Sequence, residues 1–554
     1  MATTCDTLQH DFVTAKSTAV RNLVQRLSHG GMAARLRGID GAEAFATPLS
    51  YLHTWYWLRE HVPAPLRRDV LAFSKNRAFA PLVEILVAAG TPESCAAGIV
   101  ENGYAQALVA RHGGDATAAV QAILETWQAI GGYGPRRPLA LREVAAAERH
   151  MYDELLGDAD RRRLALIDAI AEPAVGDSPR FAKLGVIPVM RCPQGCRHCL
   201  FLYRPRVERT REPQEMLETA GRLTDSLLYT GGDLTGHLDD FVAAVATTPG
   251  IDTFAILLNG VFAATPEDVE AFFEATETAL DERLRQGRGE AAVVLQISFD
   301  EHHQEIYPRA DGSLRERIPV AYIANIVEAA ARHPRIGLAL LHKQNSFNFS
   351  RDLFQRGVFA RLARELGRRG HGIEVLETRP GPRPRANPRD PSSLAPVIGD
   401  AHFILAGHAD TPIRLTSSTV DAYGQAALLD PSEFLNDRAH LDAYLAGETA
   451  GGEGFDGDLM FWYDGRVTCF SAIHYALGDL YEDGVETILA RHRRDPLLAA
   501  LRDFDRRLLD LYGEVRDDLP ERIAVSTSVH HLFHQLTFDA DVRLHMTERL
   551  LATA

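Results

Sequence analysis

The sequence predicts an α/β protein: a mostly parallel sheet, open or partly closed into a barrel, carrying an all-helical N-terminal domain and a small α+β C-terminal extension. Three observations predict it. Six short apolar runs alternate with amphipathic stretches between about residues 184 and 376. The residues before them repeat apolar positions at three- and four-residue spacing, and the residues after them combine a hairpin signal with helical stretches. At 554 residues the chain exceeds one ordinary core, and Pro-rich punctuation divides it into 1–175, 180–385 and 386–554.

The first unit is rich in Ala, Leu and Arg, with Phe79, Leu82, Val83, Leu86 and Val87 at helical spacing. Its aromatic stripe, Tyr51, Trp55, Tyr56 and Trp57, reads as helix core. The stretch from Glu172 to Pro179 then supplies the Pro, Gly and Ser of a boundary. The six candidate strands follow: Leu184 to Met190, Ser226 to Tyr229, Thr253 to Leu258, Ala292 to Ser298, Ile336 to Leu341 and Ile373 to Leu376. Between the third and fourth, Thr265-Pro266 is a helix start, with Thr as N-cap and Val269, Phe272, Phe273 and Leu280 on one face. Such alternation implies right-handed crossovers, so functional residues belong at the strand C-terminal ends. The run Thr378 to Pro388 is too Pro-rich for regular structure and reads as a loop. Beyond it, Asp464-Gly465 between two β-prone runs predicts a hairpin, and residues from about Val485 to Leu551 read as helices.

Composition excludes several classes. With 75 acidic against 59 basic residues and a net charge of −16, most of the surface repels a nucleic-acid backbone. No stretch approaches the roughly 20 apolar residues that span a bilayer, and Met1 to His10 lacks a basic region followed by an apolar run; a cytoplasmic protein is expected. Six cysteines are too few for a secreted disulfide framework, and three of them cluster while Cys5, Cys95 and Cys469 stand apart.

The cluster is Cys192-Pro-Gln-Gly-Cys196-Arg-His-Cys199, directly after the first predicted strand. Three thiolates on one tight loop suit a metal or redox site. A [4Fe-4S] cluster normally takes four thiolates, so three leave one iron open to an exogenous ligand. Tetrahedral zinc on three Cys and His198 is the alternative.

The Cys-x3-Cys-x2-Cys spacing, with His198 just before the last Cys, resembles the signature of the radical SAM superfamily. That resemblance implies a partial (β/α)6 barrel, one [4Fe-4S] cluster on Cys192, Cys196 and Cys199, and S-adenosyl-L-methionine bound beside it. Further positions resemble family motifs in the same order along the strands. Gly231-Gly232-Asp233 is similar to a Gly-Gly-Glu motif that holds the methionine amino group, with Asp233 one methylene short of Glu. Asn259-Gly260 resembles the family's ending of the third strand. Ser298-Phe-Asp300 resembles a Ser-x-Asp ending that faces the ribose and methionine, and Asn345 resembles an Asn near the cofactor. The region Asp464 to Cys469 with Ala476 to Asp479 looks like a SPASM or twitch extension that has lost its metal, because Cys469 is its single cysteine.

The resemblance implies reductive cleavage of S-adenosyl-L-methionine to a 5′-deoxyadenosyl radical, which takes hydrogen from a peptide or small-molecule substrate in natural product biosynthesis. An external one-electron donor of flavodoxin or ferredoxin type is then required. His302 and His303 are candidate acid or base groups near the substrate, and Cys469 is either a hydrogen-atom donor or an inert core thiol. His530 and His534 have the four-residue spacing of two helix-borne ligands, and Arg379, Arg383 and Arg385 could meet an anion or lie in solvent. The contrasting reading is a non-catalytic iron-sulfur or zinc protein used in electron transfer or as a scaffold.

Overall fold

A computed structural model describes residues 156–171, 180–196, 198–201, 213–308, 314–343, 357–380, 385–387, 390–395, 398–418, 439–448 and 455–553, with positions 420, 423, 424 and 426. The N-terminal aromatic stripe, the Phe79 to Val87 stripe, Cys5, Cys95, Asn345 and Arg383 lie outside the described residues. Among the described residues the fold is α/β, with an eleven-stranded sheet and fourteen α-helices.

The strands of the main sheet are β1 (Leu184–Ile187), β2 (Ser226–Tyr229), β3 (Thr253–Leu258), β4 (Ala292–Ser298), β5 (Ile336–Lys343), β6 (Ile373–Pro380), β7 (Ile398–Leu405), β8 (Ile413–Ser418), β9 (Leu459–Trp462), β10 (Arg466–Cys469) and β11 (Ala472–Asp479). Their order across the sheet is β11-β10-β9-β1-β2-β3-β4-β5-β8-β7-β6. Pairing is parallel from β9 through β8 and antiparallel at both flanks.

All six expected strands form, and the first five lie side by side in sequence order. The sixth does not continue that series. β8, an unforeseen strand, takes the parallel place beside β5, while β6 lies at the sheet edge, antiparallel to β7. The physical reason is long-range packing, which chooses between two short β-prone runs: at the edge β6 is exposed along most of its length, with Val375 42% and Leu376 49% accessible, whereas Ile413 and Leu415 of β8, inside the sheet, are buried. The expected loop after Glu377 is also shorter, because β6 runs to Pro380 and a two-stranded ribbon pairs 385–387 with 390–395.

Helices α1 (Asp158–Asp168), α2 (Gln214–Leu223), α3 (Leu238–Thr247), α4 (Pro266–Arg285), α5 (Val320–Arg332) and α6 (Gly357–Arg368) precede and accompany the parallel strands. Thr265 caps α4 by accepting from the Asp268 N–H at 3.2 Å, with Pro266 in the first turn, and Val269, Phe272, Phe273 and Leu280 are all buried. Tyr229 meets Phe241 of α3, Arg283 of α4 covers Phe254, and His342 meets Phe359 of α6. Those side chains mark one face of the sheet as its helix-covered face. Residues of opposite parity, Leu228, Leu257, Gln296, Ser298, Leu341, Lys343, Thr416 and Ser418, are half-buried or exposed. One side of the sheet is therefore apolar and sealed, and the other is mixed: Gln296, Ser298, Lys343, Thr416 and Ser418 are accessible on it, while Ile187, Ala255, Ala339, Met460 and Trp462 are buried.

Helices α7 (Ala439–Ala446), α8 (Leu480–Asp483), α9 (Val485–Arg494), α10 (Pro496–Arg502), α11 (Arg507–Gly513), α12 (Leu519–Val525), α13 (Val529–Thr537) and α14 (Ala540–Thr553) form the C-terminal layer. The described part of the N-terminal segment, α1, is bolted to it. Arg163 donates to Asp495 at 2.7 Å and to Tyr475 at 2.8 Å, Arg543 pairs with Asp160 at 2.8 Å, and Arg491 pairs with Asp168 at 2.8 Å. Arg163 is fully buried and its charge is met by Asp495 at 2.7 Å and Asp160 at 3.7 Å, so losing both would leave an uncompensated buried charge, which costs about 3–5 kcal/mol. The expected hairpin is present: Gly465, at φ 99°, donates to the Trp462 carbonyl at 2.8 Å between β9 and β10. It is continuous with the main sheet, because β9 pairs with β1. No described helix is long and apolar enough to cross a membrane.

Candidate functional site

Because β1 to β5 are parallel, the segments that leave their C-terminal ends share one edge of the sheet. The cysteine segment leaves β1 there. It is anchored at both ends: Met190 is fully buried with Ile187, Met460, Trp462 and Tyr463, and Phe201 packs on the same cluster, its ring 6.4 Å from that of Trp462. Inside the loop the Cys199 N–H donates to the Cys196 carbonyl at 3.0 Å, and Gly195 takes a left-handed conformation at φ 55°. Cys196 is buried, Cys192 and Cys199 are half-buried, and none of the three is in a disulfide. Burial pushes the Cys196 thiol up; Arg317 pulls against that, and Asp300, Cys192 and Cys199 push further.

The glycine pair after β2 fits against this loop by backbone alone. Gly232 donates to the Val189 carbonyl at 2.7 Å and Asp233 to the Arg191 carbonyl at 2.8 Å. A Cβ on Gly231 would sit 2.4 Å from the Val189 oxygen, and one on Gly232 would sit 2.3 Å from the Arg191 oxygen. Gly231 also has φ 137°, so both positions exclude side chains. The Asp233 carboxylate closes the turn, with Oδ1 accepting from the Thr235 N–H at 3.1 Å and hydroxyl at 2.7 Å. After β3, Asn259 Oδ1 accepts from the Val261 N–H at 2.9 Å, while its Nδ2 is buried with no partner.

The segment after β4 builds a histidine cluster around one carboxylate. Asp300 is fully buried, and its Oδ1 accepts from the backbone N–H groups of His302 at 2.9 Å and His303 at 2.8 Å. Its Oδ2 lies 3.0 Å from His303 Nδ1 and 3.2 Å from His198 Nε2. Burial opposes ionisation, and His198 and His303, through the hydrogen bonds they offer the carboxylate and any positive charge they take up, overcome it, holding the carboxyl well below the usual carboxylate range. Burial pushes His198 down, so the neutral imidazole donates from Nε2 and presents Nδ1 as a lone pair, which is buried without a partner. The His302 ring stacks on His198 at 4.5 Å, and His303 meets it edge-on at 4.6 Å. His198 Nε2, Asp300 Oδ2 and His303 Nδ1 lie within 4.8 Å of one another, a spacing a divalent ion could use, and the hydrogen bonds account for it without one.

This edge therefore brings together Cys192, Cys196, Cys199, His198, Gly231, Gly232, Asp233, Asn259, Ser298, Asp300, His302 and His303. The expected cofactor-facing roles of Asp300 and Asp233 meet a specific finding: both carboxylates accept hydrogen bonds from the protein's own groups. Cys469 is not part of the assembly. It pairs with Leu459, one residue before the Met460 that pairs with Gly185, so it lies level with the start of β1 at the opposite edge. It is fully buried in the apolar core, and burial pushes its thiol up; a hydrogen-donor role at the cysteine loop does not fit that place. His530 and His534 also serve packing: His534 contacts the rings of His474, Tyr423 and Phe538, and burial with the nearby Arg543 pushes it down to about 3. His530 packs between Phe455 and Phe504.

Two groups escaped the sequence reading. Arg317 donates to the Gln194 carbonyl in the middle of the cysteine loop and pairs with Glu305 at 2.8 Å. Gln304 fixes the Asp300 turn by accepting from the Asp300 N–H at 2.8 Å. Neither sits in a periodic pattern, and Gln194 and Arg317 are 123 positions apart. No protein-family model matches the chain, and no curated protein matches it.

Proposed function

We propose that this chain is a radical SAM enzyme, a partial (β/α)6 barrel that binds one [4Fe-4S] cluster through Cys192, Cys196 and Cys199 and S-adenosyl-L-methionine beside it, and acts on a C–H bond of a peptide or small molecule in a biosynthetic pathway. The observation that supports the reading is the placement of Cys192, Cys196 and Cys199, none of them in a disulfide, on one braced loop at the carboxyl edge of a parallel sheet. Bound there and reduced by an external flavodoxin- or ferredoxin-type donor, cluster and cofactor together supply reductive carbon-sulfur cleavage and hence a hydrogen-abstracting radical.

The chain's own groups suit that task. Three thiolates leave a fourth iron position for a ligand, and the Gly231-Gly232 backbone holds the loop that carries them. Asn259 Nδ2 is a buried donor and His198 Nδ1 a buried acceptor, both without protein partners, and such groups are costly unless a ligand meets them, at about 1–3 kcal/mol each. Asp300 fixes the His198 tautomer that makes Nδ1 an acceptor. A barrel lumen explains why Gln296, Ser298, Lys343, Thr416 and Ser418 crowd the face away from the helices. His303, at the rim of that face and half-buried, is placed to exchange a proton with a substrate. The hairpin β9-β10 acts as a SPASM-like or twitch-like brace, supporting the loop through Trp462 and Phe201.

Anaerobically reconstituted protein, given dithionite and S-adenosyl-L-methionine, is expected to release 5′-deoxyadenosine. A colourless, zinc-loaded protein that leaves the cofactor intact would establish the scaffold reading instead.

A further inference from the structure

We infer that Arg317 is a positioning residue that fixes the cysteine loop by its carbonyl and places a permanent cation against it, making the iron-sulfur cluster easier to reduce. The inference rests on the iron-sulfur reading above. One arm of the guanidinium donates to the Gln194 carbonyl, midway between Cys192 and Cys196, and another pairs with Glu305 at 2.8 Å. Both side chains are largely shielded, at 17% and 15% accessibility, so their charges act through a medium less screening than water. A guanidinium stays protonated at every working pH.

The surroundings give that cation its importance. A cluster held by Cys192, Cys196 and Cys199 would gain one negative charge on reduction, beside the buried Asp300 carboxyl that His198 of the same loop contacts at 3.2 Å, in a chain of net charge −16. Arg317 reaches the cysteine loop directly, through the Gln194 carbonyl that lies between Cys192 and Cys196. Glu305 tempers the cation, and its position is fixed by the same segment, since the Arg317 N–H donates to the Glu305 carbonyl at 2.7 Å. The pair thus sets a local charge against the cysteine loop from a separate segment.

The test compares wild type with Arg317→Gln, Arg317→Lys and Glu305→Gln, all reconstituted anaerobically. Iron and sulfide per chain are counted, and the midpoint of the one-electron step is read by electron paramagnetic resonance as dithionite supplies the electron and the cluster core passes from 2+ to 1+. Arg317→Gln is expected to move the midpoint to more negative values and Arg317→Lys to return most of it, while Glu305→Gln moves it the other way. A cluster-bearing Arg317→Gln with the wild-type midpoint overturns the inference and leaves Arg317 as a mechanical pin alone. If Arg317→Gln does not fold, a Glu305→Gln midpoint that stays put or falls overturns it equally. A wild-type protein that takes up no iron-sulfur cluster refutes the proposed function itself, and this inference with it.

Discussion

Cys196 and Cys469 are both buried thiols whose ionisation burial opposes, yet they belong to different chemistry. Cys196 shares its loop with two more thiols and with His198; Arg317 and Asp300 reach that loop from other segments, and Asn259 Nδ2 and His198 Nδ1 are buried there without partners. Cys469 sits at the opposite end of the parallel sheet, in a hairpin packed into the main apolar core. Burial alone therefore says nothing of function; the company a thiol keeps, and the sheet edge it occupies, separate a candidate ligand from filler.

The contrast breaks most sharply by substitution of the cysteines. Cys192→Ala, Cys196→Ala or Cys199→Ala should each abolish iron-sulfur absorbance, with secondary structure retained by circular dichroism, while Cys469→Ala keeps it at the wild-type level. Next in size are the glycines. Gly231→Ala or Gly232→Ala forces a methyl group into a backbone oxygen 2.4 or 2.3 Å away, at an expected cost of about 2 kcal/mol or more, whereas Gly195→Ala meets nothing within 4 Å and bears only the left-handed backbone penalty, about 1 kcal/mol. Urea melts of the three variants measure the difference.

Asp300→Asn should cost about 1–3 kcal/mol, because an amide nitrogen cannot accept from His198 Nε2 and His303 Nδ1. Its pH dependence has a definite sign. The carboxyl is ionised more readily in the folded chain than in the unfolded one, so its stabilisation is complete above the unfolded value of about 3.9 and is lost as pH falls toward the lower folded value. The stability gap between wild type and Asp300→Asn is expected to stay level from pH 7 to 5 and to shrink below about pH 4. A gap that instead opened on acidification would reassign the cluster. The smallest effect expected is at Cys469→Ser, which buries a hydroxyl in the core for about 1 kcal/mol and leaves iron content unchanged.

The strands and the cap of α4 were legible because local rules decide them: apolar runs of four to eight residues, and Thr-Pro ahead of an amphipathic stripe. The loop residues of the candidate site were legible because parallel strands send their C-terminal ends to one edge. What was not legible depends on long-range pairing. Nothing in Ile413 to Ser418 announces that it, rather than Ile373 to Leu376, lies beside β5, since both are short β-prone runs and only the final packing chooses between them. Likewise the Asp300 carboxylate has the spacing of a ligand-facing group, but its hydrogen bonds to His198 cross 102 residues, the interval from 198 to 300, and sequence spacing cannot show them. Arg317 carries no periodic signature, and its partner in the cysteine loop is visible only once the chain is folded.

The most direct measurement is electron paramagnetic resonance of the anaerobically reconstituted, dithionite-reduced protein, with and without S-adenosyl-L-methionine, alongside iron and sulfide counts. A three-thiolate site with an open iron predicts four irons and four sulfides per cluster, and a reduced-cluster signal whose shape changes when the cofactor is added. Zinc in place of iron, or a cluster signal indifferent to the cofactor because a protein group caps the fourth iron, would contradict it.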